Sequence, residues 1–132
     1  MFRVLTLCVP VAALGLALIA SPASAADKAM DPAKKAACIE ACTACLQACR
    51  ECVTGCDCAM CETDCLTCIE TCKACVALMQ YESALSPQMC GLCADACEAC
   101  AKACLECADM PCCQKCAKAC QRCVETCRAM AG

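Results

Sequence analysis

Cysteine is the chemistry of this chain: 25 of its 132 residues are cysteine, and 23 of them follow one spacing rule. Cys38, Cys42, Cys45, Cys49, Cys52 and Cys56 are separated by steps of 4, 3, 4, 3 and 4 residues. Cys58, Cys61, Cys65, Cys68, Cys72 and Cys75 repeat the rhythm. So do Cys90, Cys93, Cys97, Cys100, Cys104 and Cys107, and then Cys113, Cys116, Cys120, Cys123 and Cys127, with Cys112 beside them. Alternating steps of three and four keep one side-chain type on one face of a helix. A bundle would ordinarily put leucine there; here the face is sulfur.

Three chemistries can use such a face. The first is a disulfide scaffold, which a cysteine-dense exported chain invites. Helical neighbours at i,i+3 and i,i+4 have Cβ atoms about 5–6 Å apart, whereas a disulfide needs about 3.5–4.5 Å. Only cross-helix pairs remain, enough to staple a hairpin or to present a partner-binding module. The second is metal ligation. Soft thiolates select Cu(I), Zn or iron–sulfur clusters, and a sulfur–metal–sulfur unit spans about 4.6 Å at a bond of about 2.3 Å, which suits the helical spacing. Charge separates the metals. Six Zn²⁺ sites of four thiolates each would leave a charge of about −12 in a dry core, while one Cu⁺ per thiolate leaves none. A Zn-thiolate store is therefore the weaker metal reading. The bacterial ferredoxin run of cysteines ending in Cys-Pro is absent, and with no histidine in the chain the ligand set is all sulfur. The third is thiol–disulfide catalysis, which needs one activated pair. Here C-x-x-C is half of a repeated heptad, and no base, acid or pocket is evident. The expectation is a protein that is not an enzyme.

The elements that must carry these thiols are legible in order. Residues 1–25 read as a signal peptide: Arg3, an apolar run to about residue 20, and Ala23-Ser24-Ala25 as the cleavage motif. Pro10, Gly15 and the short length argue against a permanent membrane span, and Cys8 lacks the small residues that precede a lipoprotein site. The mature chain then ends in a periplasmic or secreted location. Losing Arg3 takes the formal net charge of −3 to −4. With that sign, no tryptophan and one tyrosine, nucleic acid is excluded as a partner. Only 11 Leu, Ile and Val residues remain after cleavage, too few for a conventional core.

Residues 26–30 read as a disordered linker, and residues 31–132 as an all-α, antiparallel up-down four-helix bundle with a cysteine-lined core. Asp31-Pro32 starts the first helix, which runs to about Thr54, with Gly55 marking its end. Asp57 is the expected cap of a second helix ending near Gln80. Residues 81–85 connect to a third, opened by Ser86-Pro87 and ending near Ala108. Met110-Pro111 opens a fourth, ending near Ala129. The two hairpins, 31–80 and 86–130, are copies of one design. A shift of 55 residues lays Cys38, Cys42, Cys45, Cys49 and Cys52 on Cys93, Cys97, Cys100, Cys104 and Cys107. The unmatched cysteines sit near helix ends: Cys56 falls on Pro111, Cys75 on Met130, Cys90 on Lys35 and Cys112 on Asp57. Beside the thiol seam runs a second apolar stripe, Ile39, Leu46 and Val53, then Ile69 and Val76. It is either the edge of the core or a face between copies of the chain.

Inward cysteines at C-x-x-x-C and C-x-x-C spacing on four helices resemble the bacterial copper storage proteins, over about residues 31–130. The resemblance implies a bundle that fills with many Cu(I) ions, with all 24 of the cysteines named above as ligands. It also implies a homo-tetramer, as is typical of exported members. Two features depart from that family's exported pattern: a lone Arg3 in place of a twin-arginine signal, and no histidine near the bundle mouth. Methionine could serve the mouth instead. In an up-down bundle Met30, Met79, Met89 and Met130 fall at one end, Met60 and Met110 at the other. They are either loose end-packing or, at Met79, Met89 and Met130, a thioether collar that admits Cu(I).

Overall fold

The computed structural model describes residues 29–107 and 109–132. The expected signal peptide at 1–25, most of the expected linker at 26–30 and Ala108 lie outside them. Four helices follow in order: α1 (Pro32–Gly55), α2 (Ala59–Gln80), α3 (Ser86–Glu106) and α4 (Pro111–Ala131). Backbone contact joins α1 to α2, α2 to α3, α3 to α4 and α4 to α1, and neither diagonal pair. This is a square, up-down antiparallel bundle, as the sequence predicts. No helix among the described residues is long and apolar enough to cross a membrane.

Helix ends explain how the corners are turned. Asp31 caps α1: its Oδ1 accepts from the amides of Ala33 at 2.9 Å and Lys34 at 3.5 Å, and Pro32 fills the first helical position. Gly55 is the last residue of α1 rather than the residue after it. The expected Asp57 cap does not form. Cys58 holds the cap position of α2, with no side-chain capping bond, because a bridge to Cys107 fixes the chain there. α2 ends in a Schellman turn. The amide of Glu82 donates to the carbonyl of Met79 at 3.2 Å, and that of Ser83 to Leu78 at 3.0 Å. Glu82 takes the left-handed φ of 54° that glycine usually supplies, and Lys35 reaches across from α1 to its carboxylate at 3.1 Å.

The Ser86-Pro87 signal marks the right place with the wrong role. Leu85 occupies the cap position, while Ser86 lies inside the first turn, buried, its hydroxyl without a hydrogen-bond partner. α3 stops at Glu106, two residues before the predicted end, and α4 continues two residues beyond Ala129. Thiols and small side chains make the interior. Ala41, Ala48, Ala94, Ala101 and Ala117 are buried on the helix flanks, which lets the helices approach closely around sulfur. In the second stripe Ile69 is buried, and Ile39, Leu46, Val53 and Val76 are partly buried against the core. Within one chain that stripe borders the core.

Candidate metal centre

Each helix contributes five free thiols, and they meet in five layers of four, one from every helix. At the end where α1 begins, Cys38 lies 3.6 Å from Cys127, and Cys75 lies 3.4 Å from Cys90. Next come Cys42 with Cys123 at 3.5 Å and Cys72 with Cys93 at 3.6 Å. In the middle layer Cys45 is 3.5 Å from both Cys68 and Cys120, and Cys68 is 3.3 Å from Cys97. Below it Cys49 meets Cys116 at 3.5 Å and Cys65 meets Cys100 at 3.6 Å. The fifth layer holds Cys52, which is 3.8 Å from both Cys61 and Cys113, together with Cys104. Helices that do not touch by backbone touch by sulfur: Cys45 and Cys97 are 3.8 Å apart across one diagonal, Cys65 and Cys116 3.9 Å across the other.

All twenty of these thiols are buried. Several foursomes, among them Cys42, Cys72, Cys93 and Cys123, have sulfurs all within 4.8 Å of one another. A bond of about 2.3 Å requires sulfurs about 4.0 Å apart around a three-coordinate ion and about 4.6 Å apart across a two-coordinate one. The layers already sit at that scale, so small rotamer changes suffice.

Ionisation is held back at two thiols of the fifth layer. Burial first, then hydrogen bonding with Cys61 and Cys113, pushes the Cys52 thiol up to about 12, and burial raises Cys113 in the same way. Elsewhere a donating neighbour can win. Hydrogen bonds from Cys127 and Cys42 hold Cys123 down at about 7. A soft cation entering such an array replaces protons shared between sulfurs, and each layer exchanges hydrogen for metal without gaining net charge.

The remaining four predicted ligands are arranged differently. Cys56 is bridged to Cys112, and Cys58 to Cys107, with Cα separations of 6.4 and 7.1 Å. Both bridges run between the hairpins, as the geometry of helical spacing requires, and both lie at the end where α1 passes into α2. The methionines divide between the ends as the topology predicts. Met79 is fully buried, Met89 and Met130 pack partly buried on the core, and Met60 at the other end is 60 % exposed. The bridging pairs escape the sequence reading because periodicity gives the face of each thiol and not its partner across the bundle.

A helical bundle whose whole interior is thiol, with sulfurs at metal-bridging distances, defines a metal–thiolate protein. The comparisons say which kind. Residues 31–132 match the copper storage protein family, and the chain belongs to that family. It is similar to the structure described as apo-Csp3, copper storage protein 3, from Bacillus subtilis: 43 % identity, a TM-score of 0.71, covering 74 % of this chain and 99 % of that one. It is likewise similar to Cu(I)-bound copper storage protein BsCsp3, at 40 % identity and a TM-score of 0.72, covering 75 % and 99 % of the two chains. No curated protein matches.

Proposed function

We propose that this chain is an exported store for Cu(I), taking on the order of one ion per core thiolate. The observation that carries the reading is the stack of five four-thiol layers, one thiol per helix in each. Monovalent copper neutralises such a stack. Tetrahedral Zn²⁺ would leave a charge of about −2 in every layer, with no buried cation to offset it. The similarity to a solved relative described as Cu(I)-bound supports the same metal. Export is supported by the leader-like residues 1–25 and the Ala23-Ser24-Ala25 motif. A mature chain recovered from the periplasm or medium should begin at Ala26 on N-terminal sequencing.

The deciding experiment is anaerobic titration of the reduced protein with Cu(I), read against a chromogenic chelator. Uptake should continue past about ten equivalents per chain on the charge argument. Saturation at about five or six equivalents of a divalent ion, with no further Cu(I) taken up, would mark a tetrahedral Zn store instead.

A further inference from the structure

The end of the bundle where α1 passes into α2 combines four features. A cavity of about 210 Å³ opens there, with Cys56, Asp57, Cys58 and Glu62 on its wall and Cys52, Cys61 and Cys65 at its inner side. Of the twenty free thiols, only Cys52 and Cys61 have measurable exposure, 1 % and 2 %; the other eighteen have 0 %. The four bridged cysteines stand directly over that layer, the Cys56 sulfur lying 3.8 Å from Cys113. Asp57 and Glu62 place two carboxylates beside the opening, which favours approach of a cation. At the opposite end, Met79, Cys75 and Cys90 all have 0 % exposure.

We propose that Cu(I) enters at the α1–α2 end, and that Cys56, Cys58, Cys107 and Cys112 form a thiol–disulfide latch on that entrance. Bridged, these sulfurs carry no free thiolate and offer an arriving ion no ligand. An external dithiol reductant opens the latch. Its thiolate attacks one sulfur of a bridge, and resolution releases both cysteines with two electrons and two protons taken up per bridge, the reductant leaving as its own disulfide. The four freed thiols then make an outermost sulfur layer. Each Cu⁺ received there displaces a proton and passes inward to Cys52 and Cys61 by exchange of sulfur ligands.

The proposal rests on the Cu(I)-store reading, and the test separates the two: equilibrium capacity reports storage, and the rate of uptake reports the latch. Mature protein is prepared with the bridges intact, verified by non-reducing peptide mapping, and again after reduction by a dithiol that is then removed. Both are mixed anaerobically with a chromogenic Cu(I)–chelator complex, and loss of colour is followed in time. The reduced form should load about tenfold faster or more, because thiolate rather than disulfide sulfur is the ligand, and should hold up to four more ions. A Cys56→Ser/Cys58→Ser/Cys107→Ser/Cys112→Ser variant should lose the response to the reductant. Should that variant misfold by circular dichroism, the comparison of the two wild-type forms still decides. Equal loading rates for bridged and reduced protein, or no bridges among these four cysteines after oxidation, would overturn the latch while leaving the store intact. No Cu(I) uptake by either form would overturn both. Slowed loading of reduced protein by Met79→Leu/Met89→Leu/Met130→Leu would move the entrance to the methionine end and overturn the assignment of the mouth.

Discussion

A buried thiol must choose between holding its proton and holding a metal, and the choice is set sulfur by sulfur. Cys52 is pushed up to about 12 and Cys113 is raised, both chiefly by burial, from the ordinary 9.0. These two keep protons in the folded chain that the unfolded chain gives up, so their contribution to stability is complete below pH 9 and is lost as pH rises toward 12. Cys123 acts in the opposite sense. Held at about 7 by its neighbours, it contributes stability that is full above pH 9 and lost as pH falls through 7. Urea unfolding of the reduced, metal-free protein should therefore give a midpoint that is greatest near pH 9 and falls on the alkaline side. A midpoint still climbing at pH 11 would mean that the fifth layer is wetter than its burial indicates. Copper binding follows from the same protons: each ion releases about one, so affinity should weaken as pH falls.

At the scale of the helices, the ends carry the surprises. Asp31 and Asp57 look equivalent in the sequence, an acidic residue before each helix of the first hairpin, yet only Asp31 accepts amide protons. Asp31→Ala should cost about 1 kcal/mol in chemical denaturation, the usual worth of an N-cap, and Asp57→Ala should cost close to nothing. Ser86 offers a change of the other sign. Its hydroxyl is buried at 1 % exposure without a partner, so Ser86→Ala should stabilise the metal-free protein by about 1 kcal/mol, the scale of a relieved buried polar group. A loss of stability would show that the hydroxyl has a partner after all. The helices themselves are legible from the sequence because a single residue type marks one face of each. Their caps are not, because Cys58 is fixed by a bridge from 49 residues away rather than by its neighbours. The duplication is legible too, but its register is not. The shift of 55 residues pairs Cys38 with Cys93, whereas in the bundle Cys93 meets Cys72 and it is Cys90 that joins Cys75 at the end of Cys38. The two helices of the second hairpin are each displaced by one layer, in opposite directions: Cys38 of the first layer falls on Cys93 of the second, and Cys72 of the second falls on Cys127 of the first. Unmatched cysteines are left at both ends, Cys56 and Cys112 at one and Cys75 and Cys90 at the other.

Seen as a whole molecule, the bundle lacks the usual sources of stability. Its ion pairs, Arg122 with Glu40, Arg128 with Asp95 and Lys115 with Glu51, join neighbouring helices but lie in solvent, where such pairs are worth about 0–1 kcal/mol each. Leu66, Leu92 and Leu105 are about half exposed and add little to the interior. What remains is thiol packed on thiol, with alanine on the flanks, and cysteine packs as a small hydrophobe. The metal-free chain should therefore fold as a helical bundle of modest stability. Copper should then favour the native state, because only the folded layers bring four sulfurs together. Free metal at a hundred times its dissociation constant stabilises by about 2.7 kcal/mol for one site, and each kcal/mol raises the melting temperature of a domain this size by about 4–8 °C. Even a single strongly held ion should raise the midpoint by about 10 °C or more on those figures, and successive ions should raise it further. Circular dichroism melts at zero, five, ten and saturating equivalents would trace this as a staircase or a smooth climb. A melting temperature that does not move would place the copper outside the bundle, and the charge-neutral core would no longer explain how the ions are held.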